Sequence, residues 1–239
     1  MRIDKFITEC GVASRKEASI AAKRGQILVD GVAVKDASRH IDPEKQSVSF
    51  MGRALVWRKF TYVILNKPEG YVSSTDDKVN PFVTELLPRE LRKLELFPVG
   101  RLDKDTVGLI ILTNNGPLAH SLLSPKHHVE KIYYFESAEP LALGAEEEFL
   151  SGVTLGDGYE CKPSVLKLSA DRMSGEITLT EGKYHQIKRM IASTGNKVRY
   201  LKRIKFADIP LDNTLEFGEW RFLTDSEISS LEERAKTKQ

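Results

Sequence analysis

Cysteine is nearly absent: Cys10 and Cys161 are the only two in 239 residues. Two distant cysteines exclude a disulfide framework or a thiolate metal site, and they predict a reducing compartment. Long apolar runs are missing too; none approaches the ~18 residues that a membrane-crossing helix needs. The opening residues Met1-Arg2-Ile3-Asp4-Lys5 have no apolar signal region, so the expectation is a cytoplasmic protein that meets no membrane. Also missing are Gly-x-x-x-x-Gly-Lys-Ser/Thr, Gly-x-Gly-x-x-Gly and Gly-x-Ser-x-Gly, the signatures of phosphate loops, dinucleotide folds and serine nucleophiles. No cofactor and no metal are therefore expected.

What is present is charge, unevenly divided. Met1 to Arg58 carries 11 Lys+Arg against 7 Asp+Glu, a net of +4, whereas the rest carries 25 against 27, a net of −2. A basic segment on a near-neutral body fits a polyanion-binding attachment, and equally a solvated basic surface. Ser14-Arg15-Lys16-Glu17 has the form of a capping box and predicts a helix through Arg24. Ile3, Phe6 and Ile7 have helical spacing before it. Asp30-Gly31 between Gln26–Val29 and Val32–Val34 predicts a hairpin. The unit of two helices and a hairpin ends near Phe50, and Met51 to Lys59 is a candidate linker.

From Phe60 the pattern changes. Strands are predicted at Tyr62–Leu65, Leu109–Thr113, Ile132–Glu136, Lys162–Leu168, Glu176–Thr180 and Lys197–Phe206, with Asn66 to Gly70 as a turn. Helices are predicted at Tyr184–Thr194 and after the capping box Thr224-Asp225-Ser226-Glu227. Strands and helices mix without regular alternation, which predicts an α+β fold with two domains, 1–58 and 59–239.

Three stretches hold candidate chemistry. In "GRLDKDTVGLIILTNNG", Gly100 to Gly116, four charges (Arg101, Asp103, Lys104, Asp105) crowd the mouth of an apolar strand. Asp103 and Asp105 point the same way if extended. A carboxylate at the end of a rigid strand suits catalysis, while an Arg101–Asp103 ion pair capping the strand is the plain structural alternative. A glycoside-cleaving carboxylate pair is a third. From Glu181 to Lys205 there are eight Lys or Arg against one acid, interleaved with Tyr184, His185 and Tyr200. Cations among planar rings suit a nucleic-acid groove, and a solvated helix face is the alternative. In "SPKHHVEKIYYF", Ser124 to Phe135, adjacent His127 and His128 diverge and suit a common metal poorly; a phosphate contact or a plain loop remains. Tyr133 and Tyr134 alternate, so one can face the core and the other a cleft.

Taken together, "NKPEG" (Asn66–Gly70), "GRLDKDTVGLIILTNNG", "EKIYYF" (Glu130–Phe135) and "EGKYHQIKRM" (Glu181–Met190) resemble the pseudouridine synthases, in the order that family uses. "RIDKF", "SRKEA" and "VDGVAV" are similar to the αL-type RNA-binding module that precedes the catalytic domain in its ribosomal subfamily. Within that subfamily the segments look most like the small-subunit enzymes. The resemblance implies a mixed, mostly antiparallel sheet and isomerisation of one uridine in 16S rRNA. A large-subunit (23S) rRNA synthase and an inactive RNA-binding protein are the alternatives. It implies Asp103 as the catalytic aspartate, Tyr133 as the tyrosine stacking on the target base and Lys188 as the cation paired with the aspartate. Arg101 would hold the loop and the flipped nucleotide. Candidate RNA contacts are Arg2, Lys5, Ser14, Arg15, Lys67, His127, His128, Tyr184, Gln186 and Arg189. The expected partner is small-subunit rRNA or the assembling 30S particle, bound by a monomer.

Isomerisation breaks N1–C1′, turns the uracil and joins C5 to C1′, with no redox change. The base must leave the helix stack, at a cost of a few kcal/mol. The carboxylate must stay ionised in a closed pocket, which a neighbouring cation favours.

Overall fold

The computed structural model describes residues 1–236 and divides into two units, Met1–Phe60 and Thr61–Gln239; the last three residues of the expected catalytic domain lie outside the described range. In the first unit, α1 (Ile3–Glu9) and α2 (Arg15–Lys23) precede β1 (Ile27–Val29) and β2 (Val32–Ala33). The capping box forms in both directions: Glu17 N donates to Ser14 Oγ, and Glu17 Oε2 accepts from Ser14 N at 2.8 Å. Such a cap contributes about 1 kcal/mol. Ile3, Phe6, Ile7, Ala18, Ala21 and Ala22 are buried, so α1 turns its predicted apolar face, and α2 an alanine face, into one small core with Ile27 and Val48.

The linker expectation is corrected here. β3 (Val48–Phe50) turns back at Met51-Gly52 into β4 (Arg53–Leu55), completing a sheet of order β2-β1-β3-β4. Asp30-Gly31 and Met51-Gly52 both have two positive φ angles, the turn that matches strand twist. Asp-Gly announces that turn; Met-Gly does not, and the second hairpin escapes a sequence reading. Beyond it, Trp57 donates its indole N–H to Glu9 Oε2 at 2.8 Å, so this segment also belongs to the unit.

The second unit is built on a nine-stranded sheet. In chain order come β5 (Tyr62–Lys67), α3 (Arg89–Arg92), β6 (Phe97–Pro98), β7 (Val107–Thr113), α4 (Gly116–Leu123), β8 (Lys131–Ser137), α5 (Ala145–Ser151), β9 (Val165–Leu168), β10 (Ser174–Leu179), α6 (Gln186–Ser193), β11 (Val198–Phe206), β12 (Ile209–Pro210), β13 (Trp220–Phe222) and α7 (Asp225–Lys236). The spatial order is β13-β5-β7-β11-β8-β10-β9, with β12 on β11 and β6 on β7. Every pairing is antiparallel except β7 with β11. The fold is thus α+β with a mixed, mostly antiparallel sheet.

Several boundaries shift for local reasons. Asn66 and Lys67 extend β5 instead of opening a turn. β9 begins after Pro163, which has no N–H for a ladder. Asn114-Asn115-Gly116 starts α4, because Asn115 Oδ1 accepts from Leu118 N at 3.1 Å. α5 escaped the reading; its glutamates 146–148 fill the first turn, where the helix dipole favours them.

β7 is buried along its whole length, and Leu109 to Leu112 pack on both sheet faces. Each such side chain contributes ~1.5–3 kcal/mol. Gly108 sets the approach of β7 to β11: a Cβ there would lie 2.4 Å from the Arg203 carbonyl oxygen, and φ is +98°. Substitution Gly108→Ala is expected to destabilise the protein by at least about 3 kcal/mol, combining backbone strain with a clash against backbone. Gly158, at φ +82° with nothing near it, provides the control: Gly158→Ala should cost only about 1–2 kcal/mol. Urea unfolding of both variants, followed by tryptophan fluorescence and far-UV circular dichroism, checks the difference.

Candidate active site

A cavity of about 830 Å³ opens in the second unit, lined among others by Arg101, Asp103, Tyr133, Tyr184, Lys188 and Arg203. Its floor is the loop from Gly100 to Thr106, which leads directly into β7. Leu102 and Thr106 are buried, while Asp103 is half-buried between them. The Leu102 backbone is held at both ends by Ser73: its N–H donates to Ser73 Oγ and its carbonyl accepts from that hydroxyl, each at 2.8 Å. Gly70 N donates to the Lys104 carbonyl at 2.9 Å, and Thr106 N to the Asp103 carbonyl at 3.1 Å.

Lys67 lies beneath this loop. The sequence reading places it on the RNA surface; the structure buries it completely. Its ammonium donates to the carbonyls of Thr106 (2.7 Å), Pro68 (3.1 Å) and Lys104 (3.3 Å). Burial pushes its pKa down to about 8, against the pull of Asp105, Asp103 and Glu69. Lys67 is a clamp on the loop and has no surface from which to reach RNA.

The cation facing Asp103 comes from α6. Lys188 Nζ donates to Asp103 Oδ2 at 2.8 Å and to Asp105 Oδ1 at 2.5 Å. Burial works against its charge, but the hydrogen bonds to both carboxylates outweigh it and raise its pKa. Asp105 is likewise opposed by burial, yet the Lys188 hydrogen bond draws it below the usual range. His185 Nε2 stands 3.5 Å from Asp103 Oδ1. An Arg101–Asp103 pair does not form; Arg101 is exposed on the cavity rim with no polar partner among the described residues. Asp103 is thus flanked by one ammonium and one imidazole.

The start of α6 explains how Lys188 is aimed. The helix was expected from Tyr184, but His185 is left-handed (φ 49°) and helical geometry begins at Gln186. Gln186 is buried, accepts from Lys183 N at 2.8 Å and donates to Glu181 Oε1 at 2.6 Å. Glu181 in turn accepts from Tyr159 OH at 2.9 Å and Lys162 N at 3.0 Å. Gln186, expected to touch RNA, has its amide consumed in this network. Ile187, Met190 and Ile191 anchor the other face in the core.

The remaining candidates scatter. Tyr133 is 9% exposed and lines the cavity from β8. Tyr184 is exposed at the rim and stacked on His185, ring centroids 3.8 Å apart. Arg189 turns away to Asp157 at 2.5 Å. His127 and His128 do not line the cavity; His127 Nε2 is 3.4 Å from Ser121 Oγ, and His128 Nδ1 is 3.3 Å from Lys162 Nζ. In the first unit Arg2 makes a bidentate pair with Asp4, Lys5 lies 3.6 Å from Glu9, Ser14 is the helix cap and Arg15 is exposed. His185 reaches Asp103, and Asp105 shares its lysine; the sequence reading weighs Asp105 only as a second carboxylate and His185 only as a ring among cations. Among the described residues, no group of three or more His, Cys, Asp or Glu is placed to hold a metal ion.

A loop aspartate at the foot of a strand, paired with a lysine and lining one cavity with a tyrosine, suits acid–base or nucleophilic work on a flat ring. Residues 61–193 match the RNA pseudouridylate synthase family and residues 1–46 match the S4 domain. The chain belongs to the RNA pseudouridylate synthases, isomerases that convert uridine in RNA to pseudouridine. It is 41% identical to an uncharacterised RNA pseudouridine synthase of Bacillus subtilis, covering 98% of this chain and 99% of that one. It is 40% identical to ribosomal small subunit pseudouridine synthase A of Haemophilus influenzae (97% and 99% covered) and 39% identical to that of Escherichia coli (97% and 100%). A crystal structure of a pseudouridylate synthase superposes with a TM-score of 0.68 at 39% identity, covering 97% of this chain and 99% of that one.

The Lys67 clamp carries a pH signature. Its pKa is about 8 when folded, against 10.5 for an ordinary lysine. Between those values the unfolded chain holds more protons, so this group adds stability as pH rises. Lys67→Met, which leaves three loop carbonyls without their donor, should destabilise the protein, and the difference from wild type should widen from pH 8 to 10.5. Denaturant unfolding at intervals across that range checks it; a constant difference would contradict the buried position.

Proposed function

We propose that this protein converts one uridine of small-subunit (16S) rRNA to pseudouridine, in the cytoplasm, as a monomer, on free rRNA or an assembling 30S particle. The observation that carries the chemistry is the Lys188 ammonium 2.8 Å from Asp103 at the floor of the cavity. The choice of RNA is supported by the full-length relatives that are small-subunit synthases.

In this reading Asp103 is the catalytic carboxylate and acts at the ribose or the base. Lys188 pairs with it and orients it. A preformed pair needs little rearrangement when the substrate enters. Tyr133 stacks on the flipped uracil, and Arg101, exposed at the cavity, holds the flipped nucleotide. The first unit contributes affinity through Arg2, Lys5 and Arg15, whose charges follow phosphates; Ser14 contributes a helix end. Among the described residues no helix is long and apolar enough to cross a membrane, which agrees with a partner in solution.

Mapping of pseudouridine in rRNA by carbodiimide adducts and primer extension tests the assignment. One stop in small-subunit rRNA should vanish on gene deletion and return with wild type but not with Asp103→Asn. A loss confined to large-subunit rRNA would reassign the target, and no loss in either would leave an RNA-binding protein. In purified enzyme, Lys188→Met should lower kcat by about 100-fold or more, as expected for a group acting in the transition state. Asp105→Asn should lower it by less than about tenfold, since the bond to Asp103 remains; equal damage at both aspartates would favour a two-carboxylate mechanism. Replacing Lys5 and Arg15 together by alanine should weaken RNA binding and reduce its salt dependence by about two phosphate contacts, with kcat unchanged.

A further inference from the structure

Two cations in the cavity wall take no part in the site described above. Lys131 and Tyr133 lie two apart on β8 and so share one face of the sheet. Arg203 is the register partner of Tyr133 on β11, which brings it to the same face. Arg203 is 1% exposed. Its Nε donates to the Leu109 carbonyl at 2.7 Å, and its Nη2 is buried with no hydrogen-bond partner among the described residues. The Lys131 ammonium gives one hydrogen bond, to the Val129 carbonyl at 2.8 Å. Both cations flank the ring of Phe206, at 5.4 Å for the guanidinium and 6.0 Å for the ammonium. Neither has a carboxylate partner, and both line the cavity.

Two like charges against one aromatic ring, one of them fully buried with a spare donor, are costly unless something negative joins them. We propose that Arg203 and Lys131 form a binding site for the anionic uracil released within the cavity, holding its carbonyl oxygens while it turns. This deepens the assignment of the cavity to the target uridine and rests on it. When N1–C1′ breaks, the electron pair stays with the ring, and its charge spreads from N1 over O2 and O4. C5 then supplies the pair that bonds to C1′. Loss of the C5 proton and gain of one at N1 complete the isomerisation, with no net change in composition. Donors aimed at charge that develops only after bond cleavage favour the transition state over the bound substrate.

The base is favoured over a backbone phosphate by depth and by neighbours. Arg203 pairs directly with Tyr133, the proposed stacking ring. Arg101, Lys104 and Lys183 are exposed at the mouth, where a sugar–phosphate chain can reach them. Burial and the adjacent Arg203 charge push the Lys131 pKa down to about 8, while Glu181 pulls it up. A lysine so placed loses its charge within reach of ordinary assays.

The test compares Lys131→Met, Lys131→Arg and Arg203→Lys with wild type and Asp103→Asn. Circular dichroism and thermal unfolding establish that each is folded. Turnover is measured on a small-subunit rRNA transcript, and inhibition by uracil (neutral) and barbiturate (a uracil analogue that is anionic at neutral pH). Lys131→Met should lower kcat about 10- to 100-fold with KM within about twofold, the loss expected for one charge-assisted hydrogen bond. Lys131→Arg should recover most of the loss and move the alkaline fall in kcat to higher pH. Wild type and Asp103→Asn should bind barbiturate at least about tenfold more tightly than uracil, and Lys131→Met should lose that preference. Equal binding of the two by wild type, or an unchanged kcat in Lys131→Met, would overturn the proposal. So would loss, in Lys131→Met, of a preference for uridine monophosphate over uridine with the barbiturate preference intact, since that marks a phosphate site. Turnover surviving in Asp103→Asn would instead overturn the assignment of the cavity itself.

Discussion

The parallel contact between β7 and β11 is the constraint on which the second unit depends. It is possible only because Gly108 offers no side chain to the Arg203 carbonyl. Three consequences follow from that one approach. The loop carrying Asp103 is fixed at the start of β7. Arg203 is drawn under the cavity, where its Nε binds the Leu109 carbonyl. Tyr133, on the next strand, is set opposite Arg203. A wider spacing would leave each residue in place along the chain and remove their common focus.

Electrostatics then divides the labour around the loop. Lys67 holds the loop from below by donating to three carbonyl groups, at the cost in burial that its lowered pKa records. Lys188 holds the carboxylates from the side and keeps its proton firmly. The two lysines are chemically identical and behave oppositely because burial dominates at Lys67, whereas hydrogen bonds to two carboxylates outweigh burial at Lys188. Sharing Lys188 between Asp103 and Asp105 also fixes the ammonium before any substrate arrives, so little conformational freedom is left to lose.

Much of this was legible in the sequence where the signal is local. The Ser14–Glu17 cap, the Asp30-Gly31 turn and the apolar run of β7 each declare themselves within a few residues. The Asp103–Lys188 pair joins residues 85 positions apart, and only the likeness to a known family linked them. Lys67 was misplaced because lysine is almost never fully buried; nothing in Asn-Lys-Pro-Glu-Gly announces three waiting carbonyls. Arg203 was hidden by its surroundings. In Arg199-Tyr200-Leu201-Lys202-Arg203 the eye groups the cations together, but strict alternation puts Arg203 on the side of Leu201, and the irregularity after Arg203 keeps Phe206 on that side too. Gln186 was read as a contact because it sits among cations; its burial and its bonds to Glu181 and Lys183 are set by a left-handed residue, His185, that no residue preference demands.

The long reach between β7 and β11 also has a kinetic meaning. The Arg203–Leu109 hydrogen bond closes a loop of 94 residues, and closing long loops is slow because chain entropy is lost before any contact repays it. The hairpins of the first unit, by contrast, close over a handful of residues. During synthesis the first unit can therefore fold and engage its target while the cavity is still unmade. Arg203 must leave the ribosome before the cavity wall can close, so a chain halted before β11 would carry the binding module and the loop aspartate without the enclosure that lets them act.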